Sequence, residues 1–128
     1  MISGETVNSY RDLRVWQESM ELAQACYGLT RVFPREEMFG LSSQIKRSAS
    51  SVPANIAEGY GLENTRAFIR HLRIAQGSLK ELEAHLLLAE RVGVTAIGST
   101  ERLMAKCESV GKMLRLFIRS LQKRVAEP

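Results

Sequence analysis

Apolar residues recur along this chain with a helical period, and they sort into four segments. The first, about 12–31, carries two apolar stripes. One is Leu13, Trp16, Met20, Ala23 and Tyr27; the other is Val15, Leu22, Cys26, Leu29 and Phe33. Read at 100° per residue, they cover half the circumference or more, wider than the outer helix of a monomeric bundle needs. A partner subunit or a long neighbouring helix would cover the excess. Asp12 stands at an N-cap position. Phe33-Pro34 closes the segment, because proline restricts the residue before it and cannot continue the helix. Arg35-Glu36-Glu37 then sets acidic residues in the first turn of a second helix, about 37–59, where the dipole favours them.

Within that second segment, Leu41–Gly61 has three faces. Leu41, Ile45, Ser48, Val52, Ile56 and Gly59 form a core stripe. Ser43, Ser50, Ala54 and Ala57 form a stripe of small residues that admits another backbone closely. Gln44, Ser51, Asn55 and Glu58 form a polar stripe. Pro53 cannot donate to the carbonyl of Ala49, so a kink is expected there. Gly59-Tyr60-Gly61 is expected to stop the helix.

Asn64 or Thr65 is the expected cap of a third helix, about 65–92. Its core stripe is Phe68, Leu72, Ala75, Leu79, Leu82, Leu86 and Ala89. Ile69, Ile74, Leu87 and Leu88 fall off that stripe. Together with Val15, Leu22 and Leu29 they are the candidate oligomer interface. Ser99 or Thr100 is the expected cap of a fourth helix, about 100–125. Its core stripe is Leu103, Cys107, Val110, Leu114, Phe117, Ile118, Leu121 and Val125. Strand-like alternation and sequence repeats are absent. Four long helices with short links predict one all-α domain over 1–128, an antiparallel up-down-up-down four-helix bundle.

Charge changes the picture next. The net charge is +4 and the pI about 9.4. Residues 1–40 hold four basic residues against six acidic, so the basic excess lies in 41–128. There it forms two rows opposite the core stripes. Arg66, Arg70, Arg73 and Lys80 lie on the third helix; Lys112, Arg115, Arg119 and Lys123 lie on the fourth. Such rows can track phosphates, and arginine adds bidentate geometry. The bland alternative is a solvated helix face. No aromatics interleave these rows, so they predict backbone contacts sensitive to salt rather than base stacking. An acidic protein docking on the same faces is the competing expectation.

Catalytic and metal chemistry find little support. His71 and His85 are 14 residues apart on one helix, about 21 Å, too far to share an ion. Neither has a Glu three residues before it, so the di-iron bundle motif is missing. No metal or cofactor is expected. Cys26 and Cys107 fall on apolar stripes; they could form one disulfide, but in a cytosolic chain they read rather as two reduced core thiols. The serines of the second helix sit in no nucleophile elbow, and no stretch is a phosphate-binding loop. Asn55, Glu58 and Tyr60 are the one enzyme-like group. Asn55 and Glu58 read more readily as a hydrogen-bonded tie between helices. No apolar run approaches the roughly 20 residues of a membrane span. The first residues lack the pattern of a signal peptide, which predicts a cytoplasmic protein.

Several blocks resemble a known family. They are Leu13-Arg14-Val15-Trp16, Phe33-Pro34 with Glu37 and Gly40-Leu41, Gln44-Ile45-Lys46-Arg47, Asn55-Ile56-Ala57-Glu58-Gly59, and Ala75-Gln76-Gly77-Ser78-Leu79-Lys80-Glu81-Leu82-Glu83. In this order they resemble the four-helix-bundle family encoded in intervening sequences of bacterial 23S ribosomal RNA genes. The Ser48-Ala49-Ser50-Ser51 run is more serine-rich than that pattern. The resemblance implies a homopentameric ring without catalytic activity. It also implies kinship with accessory proteins of diversity-generating retroelements, which bind nucleic acid and a reverse transcriptase through a positive surface. The shared motifs read as structural, so no functional residue carries over singly.

Overall fold

A computed structural model describes residues 7–126 of the 128-residue chain. The regular structure among those residues is helical throughout: α1 (Arg14–Thr30), α2 (Leu41–Gly61), α3 (Thr65–Arg91) and α4 (Glu101–Ala126). α1 packs on α2, α2 on α3, α3 on α4, and α4 back on α1. The backbones of the diagonal pairs do not approach each other among the described residues, and the four helices bundle around one core. Contacts between α2 and α3 descend along the chain. Ser51 meets Ser78, Asn55 meets His71, and Gly59 abuts Phe68 and His71.

The core follows the period of the sequence. All seven expected positions of α3 are buried, and so are the α4 positions from Leu103 to Leu121. Val125 is half-buried. On α2, Ile45, Ser48, Val52, Ile56 and Gly59 are buried as expected, and Ala49 and Pro53 join them. Ser48 and Ser19 are tolerated inside because each hydroxyl donates to a carbonyl one turn earlier. α2 runs unbroken through Pro53.

The beginnings of the first two helices differ from expectation. Asp12 does not cap α1. It closes a capping box with Ser9 around a 3-10 turn, Tyr10–Asp12, and α1 starts after Leu13. Residues 1–10 are expected to fray, and 1–6 lie outside the described residues. Val7 and Tyr10, by contrast, pack against the core. The second helix does not start near 37. Arg35–Glu37 forms a separate 3-10 turn, and α2 starts at Leu41. Glu37 supplies the reason. Its Oε1 accepts the Leu41 N–H at 3.2 Å, capping α2 from outside instead of entering it.

At the start of α3 the expected cap forms, whereas at α4 the Ser99 and Thr100 hydroxyls bond to Thr95 and Glu90 instead of to the helix. Asn64 accepts the Ala67 N–H at 2.9 Å. Glu63, just before it, is left-handed at φ 53°. The α3–α4 link turns through Gly93 and Gly98, at φ 78° and 88°, where glycine avoids a Cβ clash. Glu90 pins that link by accepting from the N–H groups of Gly98 and Thr100 and from the Thr100 hydroxyl.

Candidate interaction surfaces

All eight basic residues of the two rows are exposed. Among the described residues only Lys80 has an ionic partner, Glu83 at 3.2 Å. Helical geometry divides the rows. The α2 side of α3 is marked by His71 and Ser78, which bond to Asn55 and Ser51. Arg66, Arg73 and Lys80 lie on the other side, toward α4. There Arg66, Ile69 and Arg73 line a groove of about 490 Å³ with Gln122, Val125 and Ala126. Arg115 falls on the same side of α4 as Gln122, with Arg119 at its edge. The bundle thus brings Arg66, Arg73, Lys80, Arg115 and Arg119 to the two rims of the α3–α4 groove. Arg70 leans toward α2, and Lys112 and Lys123 lie on the outermost line of α4.

The apolar interface residues divide as well. Val15 is 6% exposed and Leu22 0%. Both are consumed by the protomer's own core and leave no surface for a partner, which corrects their assignment to an interface. Leu29 and Ile69 are half-buried against the same core. Ile74, Leu87 and Leu88 remain exposed. On α1 the open residues come from the other stripe: Met20 and Tyr27 are each 43% exposed, while Leu13 and Ala23 are buried and Trp16 is half-buried. The two stripes are equally apolar, so periodicity alone does not say which one faces inward.

The open edge of that stripe forms a second groove, also of about 490 Å³, between α1 and α2. Tyr10, Trp16, Met20 and Tyr27 line it on one side, and Ser50, Pro53, Ala54 and Ala57 on the other. Tyr10 and Trp16 meet edge to face at 5.2 Å. Arg11 lies over the Tyr10 ring at 5.0 Å, and Lys46 over the Tyr27 ring at 5.6 Å. Sequence reasoning finds the small-residue stripe and the aromatic stripe separately. Nothing in the one-dimensional pattern joins them into one cleft.

The polar stripe of α2 resolves into a relay across the α2–α3 contact. Asn55 Nδ2 donates to the Ser51 carbonyl and hydroxyl at 2.9 and 3.0 Å. The Ser51 and Ser78 hydroxyls lie 2.8 Å apart. Asn55 Oδ1 is thereby left as an acceptor, 3.1 Å from His71 Nδ1. Glu58 Oε2 lies 3.3 Å from the same nitrogen. Two acceptors at Nδ1 place the imidazole hydrogen there. Tyr60 does not join this group. Its ring packs edge-on against Phe68 and lines a different cavity, near Asn64 and Arg124. Burial pushes both cysteine thiols up to about 12, so neither is poised as a nucleophile.

The family model described as 23S rRNA-intervening sequence protein matches residues 11–116. Among solved structures, the chain is similar to a protein of unknown function from the S23 ribosomal protein family of Bacteroides thetaiotaomicron. The two are 30% identical, with 81% of this chain and 97% of that chain covered and a TM-score of 0.75. No curated protein matches the chain. No described helix is long and apolar enough to cross a membrane.

Proposed function

Because this chain belongs to the 23S rRNA-intervening sequence protein family, we propose that it is a non-enzymatic, cytoplasmic accessory protein that self-associates and binds nucleic acid through its basic helix faces. The carrying observation is the α3–α4 surface. Seven of the eight basic side chains in its two rows have no ionic partner among the described residues. Free cations along a groove attract a polyanion, and the affinity comes from released counterions. The rims formed by Arg66, Arg73, Lys80, Arg115 and Arg119 carry no aromatic residue. Contacts there go to the backbone and discriminate little between sequences.

The assembly in this reading is a homopentameric ring of antiparallel up-down-up-down bundles, as the resemblance implies. The descending α2–α3 pairs support the antiparallel arrangement. Exposed Ile74, Leu87 and Leu88 support a subunit interface on α3. A reverse transcriptase is the protein partner that the resemblance offers.

Light-scattering mass with the 260/280 nm absorbance ratio, in low and high salt, tests the reading. A mass near five times 14.4 kDa with nucleic acid that strips off in high salt is the expected result. That mass with no nucleic acid at either salt would move the reading to a scaffold that docks an acidic protein. A monomer would overturn the ring. Reversing Arg66, Arg73, Arg115 and Arg119 to Glu removes about four phosphate contacts. It should flatten the log–log salt dependence of duplex binding by about 3–4. Unchanged RNA retention by a folded quadruple variant would overturn the assignment.

A further inference from the structure

The aromatic residues missing from the basic rows gather on the opposite edge of the bundle. We propose that they make the α1–α2 groove a base-stacking site for single-stranded nucleic acid. This deepens the nucleic-acid reading and adds a second, chemically different surface to it. Tyr10, Trp16 and Tyr27 line the groove. Trp16 and Tyr27 are 11 residues apart on one helix, about 16 Å, which spans four or five nucleotides at about 3.4 Å each. Facing them are Ser50, Ala54 and Ala57, small enough for a flat ring to slide between the walls. Aromatic faces take any base, because every base offers a π-surface.

The cations decide the occupant. Arg11 sits on Tyr10 and Lys46 on Tyr27, one near each end of the groove. Neither is paired with a carboxylate among the described residues. An apolar helix from a second copy would bury those charges without a counterion, which is costly. A strand of nucleotides brings its own phosphates to them and its bases to the rings. Stacking on aromatics beside a cationic path is how unpaired strands are held without sequence preference.

Trp16 is the single tryptophan of the chain and reports on the groove directly. Labelled oligouridylate and an RNA duplex are titrated in parallel, reading tryptophan emission and label anisotropy together. The single strand should quench Trp16 saturably, while the duplex binds without quenching. Tyr27→Leu and Lys46→Glu keep Trp16 as reporter and lie at the surface. Each should weaken single-strand binding about tenfold and leave duplex binding unchanged. A rise in single-strand anisotropy with Trp16 unmoved, or unaltered affinity in both variants, would overturn this site and leave the basic-face reading standing. Emission that shifts with protein concentration alone would overturn it in favour of a second copy in the groove. No anisotropy change with either RNA would overturn both readings.

Discussion

Two helical glycines should respond oppositely to the same substitution. Gly59 lies where α2 crosses α3. A Cβ built there would stand 2.7 Å from His71 Cβ and 2.9 Å from Phe68 Cδ1. A Cβ cannot rotate away, and the Phe68 ring is wedged edge-on between Tyr60 and Phe117. Gly59→Ala therefore forces the helices apart, and overpacking of this kind costs about 1–3 kcal/mol. Removing a glycine from a helix returns at most about 1 kcal/mol. The clash wins, for a net loss of about 1–2 kcal/mol. Gly77 lies mid-helix on α3 with nothing within 4 Å of the added Cβ. Only the propensity gain operates there, so Gly77→Ala should stabilise by about 0.5–1 kcal/mol. Urea denaturation followed by circular dichroism, at one fixed protein concentration, compares the three chains. The gap between the variants should be about 1.5–3 kcal/mol, with m-values unchanged. A Gly59→Ala protein as stable as the parent would refute the close α2–α3 crossing on which the Asn55–His71 register depends.

Other consequences follow from individual contacts. Asn55→Leu leaves Ser51 and His71 each short of a partner and should cost about 1–2 kcal/mol in the same urea assay. With both thiols held near 12 by burial, a disulfide-exchange reagent at pH 8 should label neither cysteine in the native protein, but both after denaturation. The Thr100 hydroxyl, followed by the Gly98 and Thr100 N–H groups, holds the Glu90 carboxyl below its ordinary range. The stability this contributes is present above the unfolded carboxyl value of about 4.3 and is lost as pH falls through the lower folded value. The difference in urea midpoint between the parent and Glu90→Gln should therefore shrink at acid pH; a constant difference would contradict that linkage.

The family and the helical core were legible because each is local. The resemblance rests on contiguous blocks, and the family model matches residues 11–116. On α3 and α4 one stripe is strongly apolar and its opposite strongly basic, so the period leaves no choice about which face is buried. On α1 that contrast is missing. Leu22 and Met20 are both apolar, yet one is fully buried and the other 43% exposed. The deciding factor is α2, 30 residues downstream, whose Ser50, Ala54 and Ala57 are too small to cover Met20 and Tyr27. The start of α2 failed for a related reason. A glutamate near a helix start favours the dipole equally from within the first turn or from outside it. Only the distance from Glu37 to the Leu41 N–H separates the two.

The same contrast explains what sequence could offer of the candidate surfaces. A basic row is a property of one helix, so the exposed cations of α3 and α4 could be read in advance. Their division into groove rims and outliers could not, because it depends on which neighbour lies to either side. The aromatic groove is harder still. Trp16 and Tyr27 belong to a stripe that reads as core, and Ala54 and Ala57 to one that reads as helix packing. Each reading is chemically sound for its own helix. What remains is a mismatch between them: large aromatics on α1 face small residues on α2, and the space between is left unfilled. Cations then settle over the Tyr10 and Tyr27 rings at both ends of that space. Apolar residues that their own fold leaves uncovered, beside unpaired charge, are where chemistry beyond folding should first be sought.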